Sequence, residues 1–109
     1  MSVGHKLSRK LGGKTITIIE PSNDHYYQPG WTLVGGGIFN AEQTRRDERD
    51  LIPLGANWIR DRVIGYDPQN NSITTESNQK IKYDVLIVAA GIEMQFGVVK
   101  GIIIFLYYL

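Results

Sequence analysis

The first apolar residues of the chain recur at helical spacing. Val3, Leu7 and Leu11 lie four residues apart, which predicts an amphipathic helix over residues 2–11. The Gly-Gly pair at 12–13 follows at once and is typical of a left-handed helix end. The pattern therefore predicts a helix of about three turns with a sharp stop.

The same N-terminal stretch has a second interpretation. Its first 14 residues contain no acid, which is also typical of a mitochondrial transit peptide. We favour the helix of a folded domain, because a strand follows directly and no linker separates the two. The cationic or potentially cationic residues of this stretch are His5, Lys6, Arg9, Lys10 and Lys14.

Residues 15–19 are nearly continuously apolar, with isoleucine at three of five positions. This predicts a strand of a parallel sheet that is buried on both faces. Glu20 ends the strand, and a turn cluster follows at 21–24. In dinucleotide-binding folds, an acid at the end of the second strand accepts hydrogen bonds from ribose hydroxyls, and a glycine fingerprint precedes it by about 20 residues. Met1 stands where that fingerprint would just have ended.

The middle of the chain has weaker periodicity. Residues 26–38 predict irregular structure or a short helix. Residues 41–50, "AEQTRRDERD", are highly charged and predict either an exposed helix with Glu/Arg pairs or a mobile loop.

Beyond residue 57 the pattern changes to short apolar runs between polar turn clusters. These runs predict an antiparallel meander of three strands, at 58–66, 72–75 and 80–83. The run "VLIVAAG" at 85–91 predicts a fully apolar parallel strand whose small final residues allow close approach of a ligand.

The order of these elements predicts an α/β fold. It matches a partial Rossmann-like domain that is interrupted by an antiparallel meander and lacks the first strand and the glycine loop. We expect the strands at 15–19 and 85–89 to be parallel but not adjacent, because the absent first strand would lie between them.

Composition excludes several classes of function. The chain has 109 residues, enough for at most one domain. A net charge of +1 gives no reason to expect a nucleic-acid partner. The chain contains no cysteine, which excludes disulfides and any thiol chemistry of its own. His5 and His25 are not spaced with other metal ligands, so we expect no metal site. The apolar run at 102–109 is too short to span a bilayer, which needs about 20 residues.

Two stretches resemble a known family. "IIEPSNDHYYQPGWTLVGGG" closely resembles eukaryotic, mitochondrial sulfide:quinone oxidoreductases, which belong to the flavin-disulfide reductase superfamily. "IKYDVLIVAAG" looks like the motif of that superfamily in which an apolar strand ends in small residues. The similarity extends from about Val3 to about Gly101. It implies an FAD-binding domain over 1–101 and an apolar tail of non-family origin at 102–109.

The resemblance implies a set of FAD-binding residues. Glu20 would hold the adenosine ribose, Gln28 would contact the cofactor, and the backbone of Val63 would meet the adenine. Ala90 and Gly91 would allow the cofactor to pass closely. It implies no catalytic residue in this chain.

The family's chains are longer, carry redox cysteines and a membrane-anchoring region, and work at the mitochondrial inner membrane, where they oxidise sulfide and reduce ubiquinone. We therefore expect a truncated or fragmentary relative that has no transmembrane segment, is not itself catalytic and binds FAD weakly or not at all. Two alternatives remain open. One is a fragment of another flavin-disulfide reductase, such as a type II NADH dehydrogenase; the other is a product that binds no cofactor.

Two smaller features also have two interpretations. Tyr26, Tyr27 and Trp31 would either wall a flavin pocket or pack in the core. The triple glycine at 35–37 is not a phosphate loop, because no strand precedes it and no Lys-Ser/Thr follows it; we expect tight packing of a short helix instead.

Overall fold

The structure, a computed structural model, describes residues 1–92 and Val98. Its two α-helices are α1 (Ser2–Leu11) and α2 (Trp31–Gly35). Its strands are β1 (Thr17–Ile19), β2 (Asp24–Tyr26), β3 (Arg45–Asp47), β4 (Asn57–Ile59), β5 (Val63–Asp67), β6 (Ser72–Thr75) and β7 (Lys80–Lys82). Short 3₁₀ turns lie at Gly13–Thr15, Gln28–Gly30, Ala41–Thr44, Glu48–Leu51 and Pro68–Asn70. The mixed helix and strand content confirms the predicted α/β class.

Helix α1 has the predicted bounds, but its packed face differs from the predicted one. The helix ends at Gly12, whose φ is 85° and whose N–H donates to the Ser8 carbonyl at 2.9 Å. Val3 and Leu11 are both exposed. The face toward the rest of the molecule carries Gly4, where an added Cβ would lie 3.4 Å from the Ile18 side chain. This distance is an ordinary van der Waals contact, so Gly4 marks the side of α1 that lies against β1.

Strands β1 and β4 form a parallel ladder, which the sequence did not predict. Thr17 pairs with Asn57, and Ile19 pairs with Ile59. The predicted single strand at 58–66 is therefore wrong, because β4 and β5 belong to different sheets. Asp61 breaks the run: its N–H donates to the Ile59 carbonyl and its carboxylate accepts the Arg62 N–H at 2.7 Å.

Strands β2 and β3 form a second small sheet, again missed by the sequence. They pair antiparallel, with His25 opposite Arg46 and Tyr26 opposite Arg45. The Arg45 guanidinium donates two hydrogen bonds to one oxygen of Asp24, at 2.6 and 2.9 Å, and this contact raises the pKa of Arg45. The charged stretch 41–50 thus forms neither of the predicted states. Its three strand residues are all exposed, which explains why no apolar alternation marks the strand.

The predicted antiparallel meander is present as β5, β6 and β7. Its middle strand contributes Ile73, the one large aliphatic residue that is buried in the part of the chain the structure describes. Asn71 adopts a left-handed conformation at φ 47° and allows the turn into β6. Ser72 and Thr75 are fully buried, and the Ser72 hydroxyl has no hydrogen-bond partner among the described residues.

The strand predicted at 85–91 is wrong, since residues 83–92 lie outside any strand. The expectation that a strand at 85–89 runs parallel to the strand at 15–19 is therefore also wrong. A strand requires a neighbour to accept its backbone hydrogen bonds, and β1 obtains its parallel neighbour from β4 instead. The Rossmann-like arrangement remains a prediction. The tail at 102–109 lies outside the described residues.

The glycines at 35–37 are not explained by tight packing. A Cβ added at Gly35 or Gly37 would meet no atom within 4 Å. Gly37 instead has a φ of 71°, a conformation that favours glycine after the end of α2.

Gly13 is the glycine whose replacement we expect to cost most. An added Cβ would overlap the carbonyl oxygen of Leu54 and lie 2.9 Å from the backbone of Gly55, so Gly13→Ala must move backbone. We expect a loss of about 1–3 kcal/mol in the free energy of unfolding. The matched control is Gly35→Ala, which has open space and should be neutral or stabilising by up to about 1 kcal/mol. Equal effects in urea denaturation would contradict this account of the Gly13 contact.

Candidate functional site

Glu20 lies directly after β1, at the carboxyl end of the parallel strand pair. Its N–H donates to the Ile59 carbonyl at 3.1 Å, and its own carbonyl accepts the Trp58 indole N–H at 3.0 Å. These two contacts fix the backbone of Glu20 against β4. One carboxylate oxygen accepts the Ser22 N–H at 2.8 Å, while the side chain remains partly exposed. A carboxylate oxygen has more than one acceptor direction, so Glu20 retains capacity for hydroxyl donors.

Gln28 and Val63 lie on separate elements. Gln28 begins the Gln28–Gly30 turn and is exposed. Val63 begins β5 opposite Thr75, and the register of the ladder shifts between Val63 and Gly65. Ala90 and Gly91 are exposed and belong to no element. Within the described residues, no hydrogen bond joins any two of the predicted cofactor-binding residues, and their assignment to one cofactor site stays a prediction.

The aromatic residues near Gln28 are not core residues. Tyr26, Tyr27 and Trp31 are all exposed, and the rings of Tyr26 and Trp31 lie 6.2 Å apart in a tilted arrangement. The core interpretation is therefore wrong for these residues. Their role beside a flavin stays a prediction.

A cleft of about 740 Å³ lies elsewhere, between the start of α1 and the β2–β3 sheet. It contains none of the five predicted cofactor-binding residues. Its lining residues are Met1, Ser2, His5, His25, Tyr27, Phe39, Gln43, Thr44, Arg46 and Leu51.

One residue that lines the cleft, His25, contacts a buried carboxylate behind it. His25 lies 3.2 Å from Glu48 through its Nδ1, and the Glu48 side chain is buried while His25 is partly exposed. The Glu48 N–H donates to the Asn23 carbonyl at 2.8 Å, which holds this residue beside β2. Glu48 thus holds the partly exposed His25 ring at the side of the cleft.

The other side of the cleft is formed by α1. His5 lies 3.0 Å from the Leu51 carbonyl through its Nε2, and because a carbonyl only accepts, Nε2 carries the proton. Helix α1 has no side-chain cap and no acid in its first turn. The first-turn N–H groups of any helix lack an intrahelical partner, and here no side chain or acid offsets them, which leaves this end of the helix electropositive.

The sequence analysis assigned no role to His25, Arg46 or Glu48. Arg46 lies in β3, opposite His25, and Glu48 begins the 3₁₀ turn that follows this strand, so no spacing along the sequence marks the three as a group. The charge of the 41–50 stretch concealed that strand. Sequence separation concealed the pairing with His25, because a partner about 20 residues away is set by tertiary contact.

Asp61 lies two residues before Val63, at the start of β5. Its carboxylate accepts hydrogen bonds from the Ser77 hydroxyl and from the Arg62 N–H, and these contacts lower the pKa of Asp61 to about 2. Ser77 lies in the turn between β6 and β7. Asp61 therefore ties the start of β5 to that turn.

In residues 1–92 and Val98, no helix is both long enough and apolar enough to cross a membrane. The same residues contain no cluster of metal-ligating side chains.

The arrangement of α1, the β1–β4 ladder and the meander occurs in a known class of α/β structure. The chain superposes on the X-ray structure of the sulfide:quinone oxidoreductase from Aquifex aeolicus with a TM-score of 0.69 and 24% identity. The match covers 88% of this chain and 23% of that one. At this identity the likeness shows the fold alone.

Sequence similarity is closer to eukaryotic proteins. The chain is 46% identical over 103 residues to the mitochondrial sulfide:quinone oxidoreductase of Dictyostelium discoideum, and 38% identical over 102 residues to that of Mus musculus. Each match covers 94% of this chain and 23% of the relative, so the chain spans about a quarter of the length of these proteins. No protein-family model matches. The predicted resemblance to mitochondrial sulfide:quinone oxidoreductases is confirmed.

The Trp58 indole N–H holds the Glu20 carbonyl, so Trp58→Phe tests whether this hydrogen bond fixes the Glu20 backbone. The change removes the N–H that donates to the Glu20 carbonyl at 3.0 Å. We expect a loss of about 0.5–1.5 kcal/mol in the free energy of unfolding and faster amide exchange at Glu20. Trp31→Phe is the control, since Trp31 is exposed and donates no side-chain hydrogen bond within the described residues; a change within about 0.5 kcal/mol is expected. Equal losses in the two variants would contradict the assigned role of Trp58.

Asp61 should make folding sensitive to acid. Its pKa is lowered from 3.8 to about 2, so its contribution to stability is present above 3.8 and is lost as pH falls toward 2. Asp61→Asn should lower the melting temperature near neutral pH, and the difference from the parent chain should shrink as the solution is acidified toward pH 2. Asp84→Asn, at an exposed aspartate, should show no such convergence. A pH-independent difference for Asp61→Asn would refute this assignment.

Proposed function

We propose that this chain is the FAD-binding portion of a flavoprotein of the sulfide:quinone oxidoreductase type. The observation that carries the proposal is the 46% identity over 103 residues to a mitochondrial sulfide:quinone oxidoreductase. In the complete protein of this type, sulfide is the reductant and a quinone receives the electrons. By the same similarity, we propose a mitochondrial location for the complete protein, at the inner membrane.

Glu20 is the residue best placed for cofactor binding. It lies at the carboxyl end of a parallel strand, its backbone is held on both sides by β4, and its side chain is partly exposed. A carboxylate in that position accepts hydrogen bonds from the two ribose hydroxyls of adenosine. Its negative charge also disfavours a phosphorylated ribose. These properties support adenosine of FAD as the group it would hold.

The residues present fit the adenosine end of FAD and do not fit the remainder. Gln28 is exposed and offers both an amide donor and an acceptor. Val63 begins β5 and offers its backbone to the adenine. Ala90 and Gly91, in contrast, belong to no element, so no strand end holds them against a cofactor. The site is therefore partial.

The pyrophosphate would be held weakly. The 109 residues contain no Gly-x-Gly-x-x-Gly sequence, which in this class of fold supplies backbone N–H groups to the pyrophosphate. The first turn of α1 has no side-chain cap, so its N–H groups are the remaining backbone donors near this position. Each missing charge-assisted hydrogen bond is worth about 1.5–3 kcal/mol. The loss of several lowers affinity by orders of magnitude.

The isolated chain should not be catalytic. Bound FAD supplies two-electron transfer in flavoproteins, but oxidation of sulfide to sulfane sulfur by this family also needs a thiol nucleophile. The chain has no cysteine. Its role is therefore limited to binding the adenosine end of the cofactor.

An FAD titration of the purified 109-residue chain tests the proposal. We expect a dissociation constant well above about 1 μM, with NMR shift changes at the amides of Glu20 and Gln28. Glu20→Ala should weaken binding by at least about tenfold, which equals the loss of about 1.4 kcal/mol. Glu42→Ala, at an exposed glutamate of the Ala41–Thr44 turn, is the matched control and should bind like the parent chain.

Two results would contradict the proposal. Binding that is equal in the parent and in Glu20→Ala would remove the ribose role from Glu20. A dissociation constant below about 1 μM that is abolished by Glu20→Ala would show that the site works without the glycine loop, and that the argument for weak binding is wrong.

A further inference from the structure

The charges of this chain are segregated along the sequence. Residues 1–19 hold four of the 12 lysine and arginine residues and none of the 11 acids. The net charge of +1 therefore combines +4 over residues 1–19 with −3 over the remaining residues. Helix α1 carries three of these four cations, so positive charge is concentrated on one element.

The three cations of α1 are neighbours on one side of the helix. Lys6 lies three residues before Arg9 and four residues before Lys10, and residues at these spacings share a helix face. Lys6, Arg9 and Lys10 are here called the basic face of α1, and all three are exposed. Among the residues that the structure describes, no ion pair and no side-chain hydrogen bond involves any of the three. No acid in this part of the chain therefore offsets their charge.

The protein holds α1 by its other side. The His5 ring lies 3.0 Å from the Leu51 carbonyl, and Gly4 lies beside Ile18 of β1. The basic face consequently points to solvent, and none of its residues lines the cleft. Like charges at these spacings repel one another and destabilise a helix. Exposed cations on a convex helix surface fit an extended anionic surface, which meets all three at once, better than one small anion.

Val3 favours a membrane over a nucleic acid as that surface. It lies three residues before Lys6 and seven before Lys10, on the same side of α1, and is 50% exposed. At a membrane, an aliphatic side chain enters the headgroup layer while lysine and arginine reach the lipid phosphates. Helix α1 has no aromatic residue that could stack on nucleic-acid bases. We propose that the basic face of α1, together with Val3, binds the surface of an anionic membrane.

Co-sedimentation of the full 109-residue chain with lipid vesicles tests this contact. None of the predicted cofactor-binding residues belongs to α1, so lipid binding is measured without FAD and does not depend on the proposed cofactor site. We expect the chain to bind phosphatidylcholine vesicles that contain about 30% phosphatidylglycerol, and to bind pure phosphatidylcholine vesicles at least about tenfold more weakly. Raising the salt concentration from about 0.1 M to about 0.5 M should also weaken binding to the anionic vesicles, because salt screens exposed charges.

Two charge-matched double variants identify the face that binds. Lys6→Gln combined with Lys10→Gln should weaken binding to the anionic vesicles by at least about tenfold, because each lysine near the lipid surface contributes to affinity. Glutamine has nearly the helix propensity of lysine, so α1 should persist. The control is Lys80→Gln combined with Lys82→Gln on β7, which removes the same charge from two exposed lysines and should bind like the parent chain.

A DNA duplex separates the two kinds of anionic surface. Val3→Ser should weaken binding to the anionic vesicles by about threefold or more, because it removes aliphatic area from the headgroup layer. The same change should leave any binding to a short DNA duplex unaltered. An equal phosphate concentration of the duplex should not release the parent chain from the vesicles.

Several outcomes would overturn the proposal. A chain that binds neither kind of vesicle would show that the basic face is only solvated, and equal binding to both kinds would assign the contact to apolar residues elsewhere. Equal losses in the two double variants would show a response to net charge and not to the basic face. Release of the parent chain by the duplex would identify nucleic acid as the preferred partner. Circular dichroism of each variant, compared with the parent chain, verifies that lost binding is not a lost fold.

Discussion

The parallel pairing of β1 with β4 is the contact on which the rest of the structure depends. Residues 17–19 pair with residues about 40 positions later in the chain. The ladder is extended at both ends, by the Asn57 N–H to the Ile16 carbonyl at 2.9 Å and by the Glu20 N–H to the Ile59 carbonyl at 3.1 Å. Helix α1 joins the same region through the His5 contact with the Leu51 carbonyl and through Gly4, which lies beside Ile18 of β1.

The remaining sheets are local by comparison. Strands β5, β6 and β7 follow one another along the chain and form a meander around Ile73. The β2–β3 sheet is exposed and is held by the Arg45–Asp24 ion pair and by the contact of Glu48 with His25. Because few large apolar residues are buried in the described part of the chain, hydrogen bonding contributes much of the specificity of the fold. Substitutions that disturb the β1–β4 contacts should therefore have larger effects than those in the exposed sheet.

The pairing of β1 with β4 also determines which of the predicted cofactor-binding residues are held in place. Glu20 is positioned because it extends β1 and contacts Trp58 of β4. Val63 is positioned by the meander. Ala90 and Gly91 belong neither to the β1–β4 ladder nor to the meander, because residues 83–92 lie outside any strand. Contacts with β4 and within the meander thus hold Glu20 and Val63, at one end of the proposed cofactor site. No strand holds Ala90 and Gly91, at the other end.

Local patterns determined the elements whose signal lies within a few residues. Helix α1, with its glycine stop, and the meander, with its polar turns, could be predicted because spacing and turn chemistry specify them without a distant partner. Glu20 could be proposed as a site residue on the same grounds, since it ends an apolar strand, and that role stays a prediction. The tertiary structure alone decided the pairing of β1 with β4, the strand β3 inside a charged stretch, and the absence of a strand at 85–91. Each of these depends on whether a distant neighbour supplies backbone hydrogen bonds. An apolar run such as "VLIV" fits a buried strand but does not provide the neighbour that a strand requires.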